Sequence, residues 1–192
     1  MQSFVFSEMN KASRNKDESK IQYYGAFASA LGFIIHCGNN HGKNKNEQLT
    51  VYRGLQISKS ELETKFVPEK TVNLLGFTST SLDITQAKKF ALEQLKSDKM
   101  AVILKIDFTG SNQYFMIDSP EYSSYPQEQE VILQEGVKYL VNRVYQETTD
   151  GQALETPKDS NQYTITFVEL TNVPDKYNQV GCCLRGIKYL TS

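Results

Sequence analysis

The amino-acid sequence predicts an α+β domain, with helices at its start and strands through most of the rest. Apolar residues recur at helical spacing as far as Ile35, and from Leu49 onward they mostly alternate or form short runs. These two patterns are typical of helices and strands, respectively. Helices that precede strands, instead of alternating with them, favour an α+β domain over a doubly wound one. A length of 192 residues suits a single domain with a sizeable core.

Residues 1–47 form a predicted helical lead-in. Residues 17–19 separate two helices, and the second ends at Gly38, because Gly and the Asn residues behind it accept left-handed backbone angles. A polar loop then leads to the first strand. The apolar residues at helical spacing are Phe4, Met9, Ile21, Tyr24, Ala28, Leu31 and Ile35.

Two short helices are predicted within residues 48–171, which form a β-rich core. Ser58 or Ser60 caps the first helix, which ends before Pro68. Asp83 caps the second helix. The second helix runs from Ile84 to about Lys96 and buries Ala87, Phe90, Ala91 and Leu95.

The strands of this core are predicted from apolar alternation between turn signals. Gly76 separates two short strands or bends a single one. Residues 128–134 and 138–145 form a predicted hairpin across Glu135 and Gly136, and the last strand closes the sheet. The predicted strands are residues 49–54, 71–75, 77–81, 101–108, 114–117, 128–134, 138–145 and 163–170.

Composition and charge exclude several functional classes. The 21 basic and 22 acidic residues are mixed along the chain, and no basic stripe indicates nucleic-acid binding. No apolar run is long enough to span a bilayer. Neither the Gly-x-Gly-x-x-Gly pattern of a Rossmann site nor a P-loop is present.

The amino terminus predicts a cytoplasmic location. Residues 1–6 lack the basic segment and sustained apolar core of a secretory signal peptide. Export by a non-classical route, or the removal of a leader, stays open as an alternative. At the other end, residues 172–192 form a tail to which no structure is assigned.

The cysteines indicate neither a disulfide framework nor a metal site. Cys37, Cys182 and Cys183 are odd in number, and reduced thiols in a reducing compartment are expected. A link from Cys37 to either of the other two is still geometrically open. His36, Cys37 and His41 lack a fourth ligand at a recognisable spacing, so no metal is expected there.

Three segments with chemically useful side chains follow one another along the chain. Residues 51–54 place an arginine on a strand, residues 76–83 place Ser-Thr-Ser before a helix, and residues 124–133 contain a Glu-x-Glu. On a strand, Glu128 and Glu130 would project from one face about 7 Å apart. Like charges that close gain little unless a site uses them. Each motif alone is weak, but three in this order are rarely accidental.

This order of motifs resembles the arginine–serine–glutamate class of mono-ADP-ribosyltransferases, which includes clostridial-type toxins and vertebrate ecto-enzymes. The match covers much of the chain, and residues 8–14 resemble the helical lead-in of such domains. The resemblance implies a split β-sandwich with a helical amino-terminal portion, and NAD bound in the cleft between two sheets. It also implies that the chain modifies a target protein and needs no metal, and a monomer is expected.

The resemblance further implies that Arg53 and Gly54 bind NAD. A guanidinium carries a permanent charge and a planar fork that suits the oxygens of the pyrophosphate. Glycine at position 54 removes a side chain next to that contact, so the nucleotide is expected to approach the backbone. Phe77 lies on the same strand face as Ser79 and is expected to pack near the nicotinamide.

By the same resemblance, Ser79 orients the catalytic Glu130, while Thr80 and Ser81 support the site. Positive charge builds up on the ribose as its bond to nicotinamide breaks. A carboxylate is ionised at neutral pH, so it can accept a hydrogen bond from a ribose hydroxyl and stabilise that cation. Glycosidases use carboxylates in a similar way.

Glu128 is implied to address the acceptor, and a glutamate at this position resembles arginine-specific members of the class. An arginine side chain is cationic and a poor nucleophile, and a carboxylate beside it can hold the guanidinium and take its proton. Tyr122 and Tyr125, in a loop at residues 118–127, either offer aromatic faces to the guanidinium or pack within the loop. An NAD glycohydrolase that uses water as acceptor, and a catalytically silent NAD- or protein-binding module, stay open as alternatives.

Overall fold

A computed structural model of the chain describes residues 4–15, 17–38, 48–108, 114–117, 125–150 and 162–173. The helices in these residues are α1 (Phe4–Asn15), α2 (Glu18–Gly38), α3 (Lys59–Lys65) and α4 (Ile84–Leu92). The strands are β1 (Leu49–Ile57), β2 (Thr71–Asn73), β3 (Thr78–Ser81), β4 (Met100–Phe108), β5 (Tyr114–Ile117), β6 (Glu130–Leu133), β7 (Lys138–Asp150) and β8 (Gln162–Asn172).

Local signals in the sequence place the short helices and the break between β2 and β3. The side chain of Ser58, rather than that of Ser60, accepts a hydrogen bond from a first-turn N–H of α3. Asp83 does the same for α4. Each bond satisfies one of the N–H groups that the start of a helix leaves open. Gly76, at φ +75°, separates β2 from β3, so these are two strands.

The sheet is split between β1 and β3. The strands of the described residues follow the order β2-β7-β8-β4-β1-β3-β6-β5. In that part of the chain, β1 and β3 share one residue pair, Tyr52 with Ser81, whereas the ladder between β1 and β4 runs from Leu49 to Ile57. The result is a five-stranded half and a three-stranded half, which confirms the expected α+β fold.

A large apolar cluster holds the two halves of the sheet against each other. Val51, Leu104 and Leu170 enter it from β1, β4 and β8, while Val131 and Leu133 enter it from β6. All five side chains are fully buried. Since burying one large aliphatic side chain contributes about 1.5–3 kcal/mol, this cluster fixes where β6 lies relative to β1.

Helix α4 covers the outer face of the five-stranded half. Ala87 and Ala91 pack against residues of β4 and β8. The helix ends at Leu92, before its predicted end near Lys96. Phe90 was expected in the buried stripe, but its side chain is 51% exposed. The prediction is wrong because the two small alanines, one turn apart, set the line of contact and Phe90 falls beside it.

Helix α2 covers the three-stranded half with one side and exposes apolar residues on the other. Leu31 and Ile35 are buried against residues of β5 and β6. No helix in the described ranges is long and apolar enough to cross a membrane. The large apolar side chains that α2 exposes are Tyr23, Phe27, Phe33 and Ile34.

The predicted hairpin of residues 128–134 and 138–145 does not form. β6 pairs with β3 and β5, whereas β7 pairs with β2 and β8, so the two consecutive strands lie in different halves of the sheet. Gly136, at φ +82°, turns the chain from one half to the other. A turn signal indicates that the chain changes direction, but it does not select the partner strands. β8 likewise lies between β7 and β4 and does not close the sheet at an edge.

Candidate active site

Arg53 lies on β1, at the seam between the two halves of the sheet. Its Nη1 donates a hydrogen bond to the backbone oxygen of Ser79 on β3, over 2.6 Å. Among the described residues, β1 and β3 share one residue pair, and this side-chain hydrogen bond adds a second connection between them. The guanidinium charge is therefore held beside the Ser-Thr-Ser strand.

Glu130 begins β6, and its side chain is buried, with 5% exposed. Ser79 Oγ donates a hydrogen bond to Glu130 Oε1 over 2.6 Å. The ladder pairs Glu130 with Ser81, so Ser79 reaches the carboxylate from the diagonal position on the same face. A hydrogen bond to a carboxylate is shorter and stronger than one between neutral groups. Arg53, Ser79 and Glu130 are thus brought together through Ser79.

The other two residues of the Ser-Thr-Ser segment hold the backbone that leads into β6. Ser81 Oγ donates to the backbone oxygen of Glu128 over 2.6 Å and accepts from the N–H of Asp83 over 2.9 Å. Thr80 Oγ1 donates to the backbone oxygen of Val131 over 2.7 Å. Both hydroxyls therefore tie β3 to the chain on either side of Glu130.

Glu128 does not share a strand with Glu130, so the expectation that both carboxylates project from one strand face is wrong. Pro126–Glu128 form a 3₁₀ turn, and β6 starts only at Glu130. Gln129, between them, adopts a left-handed φ of +45°. A left-handed residue interrupts the alternation of side chains that a strand would impose. Glu128 is half-buried and still lines the same cavity as Glu130.

A cavity of about 390 Å³ opens at the seam. It brings one cationic side chain together with two acidic ones and with the hydroxyls of the Ser-Thr-Ser strand. A volume in this range is typical of small-molecule and cofactor sites. The residues that line it are Tyr52, Arg53, Gly54, Leu55, Gln56, Ser79, Thr80, Ser81, Gln86, Ala87, Phe90, Glu128 and Glu130.

Gly54 lines this cavity, but the space above its Cα is filled by α4. A Cβ at this position would overlap the backbone oxygen of Ala87 and approach the backbone nitrogen of Ala91 to 2.7 Å. Glycine therefore allows α4 to lie directly on β1. The close packing of α4 explains the glycine at this position, in place of the expected approach of a nucleotide.

Gly54→Ala is expected to destabilise the fold by about 1–3 kcal/mol, because the added methyl group meets helix backbone that cannot turn aside. Gly32 in α2 provides a matched control, since nothing lies within 4 Å of a Cβ added there. Gly32→Ala is expected to raise stability by about 0.5–1 kcal/mol. Urea unfolding of the two variants measures the difference, and equal unfolding midpoints would contradict the close packing of α4 on β1.

The aromatic residues expected near the substrates lie in three different settings. Phe77 precedes β3, so it does not share a strand with Ser79, and it is buried in the cluster formed with α1 and α2. It is not among the described residues that line the cavity. Tyr125 precedes the 3₁₀ turn and is exposed. Tyr122 lies outside the described residues.

Of the residues considered for a metal site, His41 lies outside the described residues, as do Cys182 and Cys183, while His36 and Cys37 are described by their helical backbone alone. Across the side chains that the structure does describe, no group of three or more His, Cys, Asp or Glu residues is arranged to hold a metal ion. The chemistry of the candidate site is therefore argued from Arg53, the hydroxyl groups and the two glutamates.

Sequence patterns do not indicate several residues that line the cavity. Gln86 and Phe90 lie one turn apart on α4, and that spacing is visible in the sequence. The apolar character of Phe90 nevertheless favours a buried position. Tyr52 and Arg53 are consecutive on β1, where alternation places them on opposite faces. Both nevertheless line the cavity at the split between β1 and β3, and the sequence does not show where the sheet splits.

Comparisons with known proteins find a family model and solved structures that are similar to this chain. A family model described as ADP-ribosyltransferase exoenzyme matches residues 40–172, which contain all three motifs. Among solved structures, Vis toxin, an ADP-ribosyltransferase from Vibrio splendidus, is 18% identical with a TM-score of 0.56; the alignment covers 91% of this chain and 70% of the toxin chain. Plx2a, an ADP-ribosyltransferase toxin from Paenibacillus larvae, is 15% identical with a TM-score of 0.45, covering 88% and 92% of the two chains. No curated protein sequence matches the chain significantly.

Proposed function

The chain belongs to the ADP-ribosyltransferase exoenzyme family, and from that premise we propose that it transfers ADP-ribose from NAD to an arginine side chain of a target protein, releasing nicotinamide. NAD is the cosubstrate of this enzyme class, and proteins are its targets. The observation that carries the proposal is the hydrogen bond from Ser79 to the buried carboxylate of Glu130. Arg53 and Glu128 line the same cavity as this pair.

Arg53 is the group proposed to bind the pyrophosphate of NAD. Its guanidinium is planar and permanently charged, and two of its N–H groups can meet two phosphate oxygens. Its hydrogen bond to the backbone of Ser79 orients the side chain before any substrate arrives. A side chain that is already oriented loses less conformational freedom when it binds a ligand.

Glu130 is the group proposed to stabilise the ribose during bond cleavage. The bond between the ribose C1′ and the nicotinamide nitrogen breaks, its electron pair stays with nicotinamide, and positive charge develops on the ribose. Ser79 fixes the orientation of the Glu130 carboxylate. Because Glu130 is buried, its negative charge is poorly screened by water and acts strongly on the developing cation.

Glu128 is the group proposed to receive the acceptor. It is half-buried on the turn before β6, and Ser81 holds its backbone. A carboxylate at the edge of the cavity can pair with a guanidinium that arrives from solvent. One guanidinium nitrogen then forms the new bond to C1′, and the proton that this nitrogen loses passes to Glu128.

The proposed active form is a monomer. Arg53, Ser79, Glu128 and Glu130 all come from one chain, so the proposed chemistry requires no residue from a second copy. The partner is a protein that presents an accessible arginine to the rim of the cavity.

A direct test uses labelled NAD with agmatine, which carries the guanidinium of arginine on a short chain. We expect nicotinamide release and a labelled ADP-ribosyl-agmatine adduct, separated by chromatography. Putrescine matches the carbon chain of agmatine but ends in an amine, and it is expected to form no adduct. Nicotinamide release that agmatine leaves unchanged, with ADP-ribose as the other product, would identify an NAD glycohydrolase. Intact NAD throughout would contradict both enzymatic functions.

A further inference from the structure

Asn10 of α1 lies buried against the chain segment that leads into the Ser-Thr-Ser strand. Its side chain is 5% exposed. Its Nδ2 donates a hydrogen bond to the backbone oxygen of Phe77 over 2.9 Å. Its Oδ1 is also buried and has no hydrogen-bond partner among the described residues. The side chain therefore makes one polar contact in this part of the chain, 67 positions away in sequence.

The same amide packs on the bend that begins β3. Gly76 adopts φ +75°, a backbone conformation that L side chains rarely take. A Cβ built on Gly76 would lie 2.5 Å from Asn10 Oδ1. The glycine thus serves two purposes here, since it permits the bend and leaves room for the amide. Asn10 and Gly76 together set the position from which the chain enters β3.

Considered by itself, a buried asparagine at position 10 lowers the stability of the fold. A buried amide oxygen without a partner has lost its hydrogen bonds to water and has gained none in return. A leucine of similar size would avoid that loss and would suit a position beside the apolar cluster of α1 and α2. A leucine could not, however, donate the hydrogen bond to the backbone oxygen of Phe77.

At its start, strand β3 is paired along one edge, to β6, and has no paired residue of β1 among the described residues. The strand is four residues long. Among the described residues it pairs with β1 only through Ser81, at the far end of the strand. β6 pairs along its other edge. Ser79, two residues beyond Phe77, donates its hydroxyl to Glu130 and accepts from Arg53 through its backbone oxygen. A shift at the start of β3 therefore moves both contacts of Ser79.

We propose that Asn10 is a positioning residue for the transferase site, which rests on the function proposed above. Its amide fixes the start of β3 and so holds Ser79 where it meets both Glu130 and Arg53. Asn10 precedes the part of the chain that the family model matches, residues 40–172. Helix α1 accordingly contributes a polar restraint to the catalytic strand as well as an apolar cover.

The test compares Asn10→Leu and Asn10→Ala with wild type in nicotinamide release from NAD. For both variants, kcat is expected to fall by about 10- to 100-fold, because small displacements of catalytic groups cost factors of that size. KM for NAD is expected to change less than kcat, since the variants leave Arg53 and its charge in the cavity. Asn10→Leu is expected to keep a melting temperature near that of wild type. Backbone amides of residues 77–81 are expected to exchange with deuterium faster in both variants.

Leu31→Ala provides the matched control for loss of packing in the same region. Leu31 belongs to the apolar cluster of α1 and α2, and its truncation lowers the melting temperature without removing the amide contact. Its kcat, measured where circular dichroism shows a folded protein, is expected to equal that of wild type. Unchanged kcat and unchanged exchange at residues 77–81 in Asn10→Leu and Asn10→Ala would overturn the proposal. Failure of wild type to consume NAD would overturn the proposed function instead, and deuterium exchange would still report whether Asn10 holds β3.

Discussion

Glu130→Gln is expected to reduce nicotinamide release from NAD by about 10²- to 10³-fold, the scale on which removal of one preorganised electrostatic group lowers kcat. Glutamine keeps an oxygen that can accept the hydrogen bond from Ser79, so the contact of 2.6 Å and the fold are retained. The substitution removes the negative charge alone. Since the proposed role of Glu130 is to oppose positive charge on the ribose, the loss is expected in kcat, with and without an acceptor.

Glu135→Gln is the control for this substitution. Glu135 follows β6 on an exposed turn, so the same loss of charge a few residues away is expected to leave nicotinamide release unchanged. Release is measured by chromatography at saturating NAD, with circular dichroism as a check of folding. If Glu130→Gln kept the kcat of wild type, the proposed role of this carboxylate in stabilising the ribose cation would be wrong.

Glu128→Gln is expected to separate transfer from NAD cleavage. Adduct formation with agmatine should fall by about 10²-fold or more, a typical contribution of a positioned general base. Nicotinamide release to water should persist, because Glu130 and Ser79 remain in place. The ratio of adduct to free ADP-ribose is therefore the informative quantity, since it is independent of how much folded enzyme is present.

Gln127→Ala is the control for Glu128, because Gln127 lies on the same 3₁₀ turn and is exposed. It tests whether any change to the turn disturbs transfer. We expect its ratio of adduct to ADP-ribose to match that of wild type. If Glu128→Gln still modified agmatine as well as wild type does, arginine transfer would have to depend on another group.

Local chemistry made much of this fold predictable. Ser58 and Asp83 cap the helices that the sequence assigns to them, and Gly76 breaks the chain between two strands. These outcomes depend on one side chain and its nearest backbone. The partners of β6 depend on contacts with residues distant in sequence, and there the predicted hairpin is wrong.

The candidate site was predictable to a similar extent. The resemblance to the arginine–serine–glutamate class indicates Arg53, Ser79 and Glu130 as candidates, and hydrogen bonds connect them. The period-2 rule for strands placed Glu128 beside Glu130, and the left-handed Gln129 between them breaks that rule. Asn10 lies within the lead-in of residues 8–14, but its contact with Phe77, 67 positions away, is visible only in the folded chain.

The central claim is that Arg53, Ser79 and Glu130 converge on one NAD molecule, and a crystal structure of the Glu130→Gln variant with NAD tests it most directly. The slow turnover of this variant should preserve the intact nucleotide. We expect the pyrophosphate within hydrogen-bond distance of Arg53 and the nicotinamide ribose within that distance of residue 130. A nucleotide bound elsewhere, or an Arg53 guanidinium turned to bulk solvent in the complex, would contradict the claim.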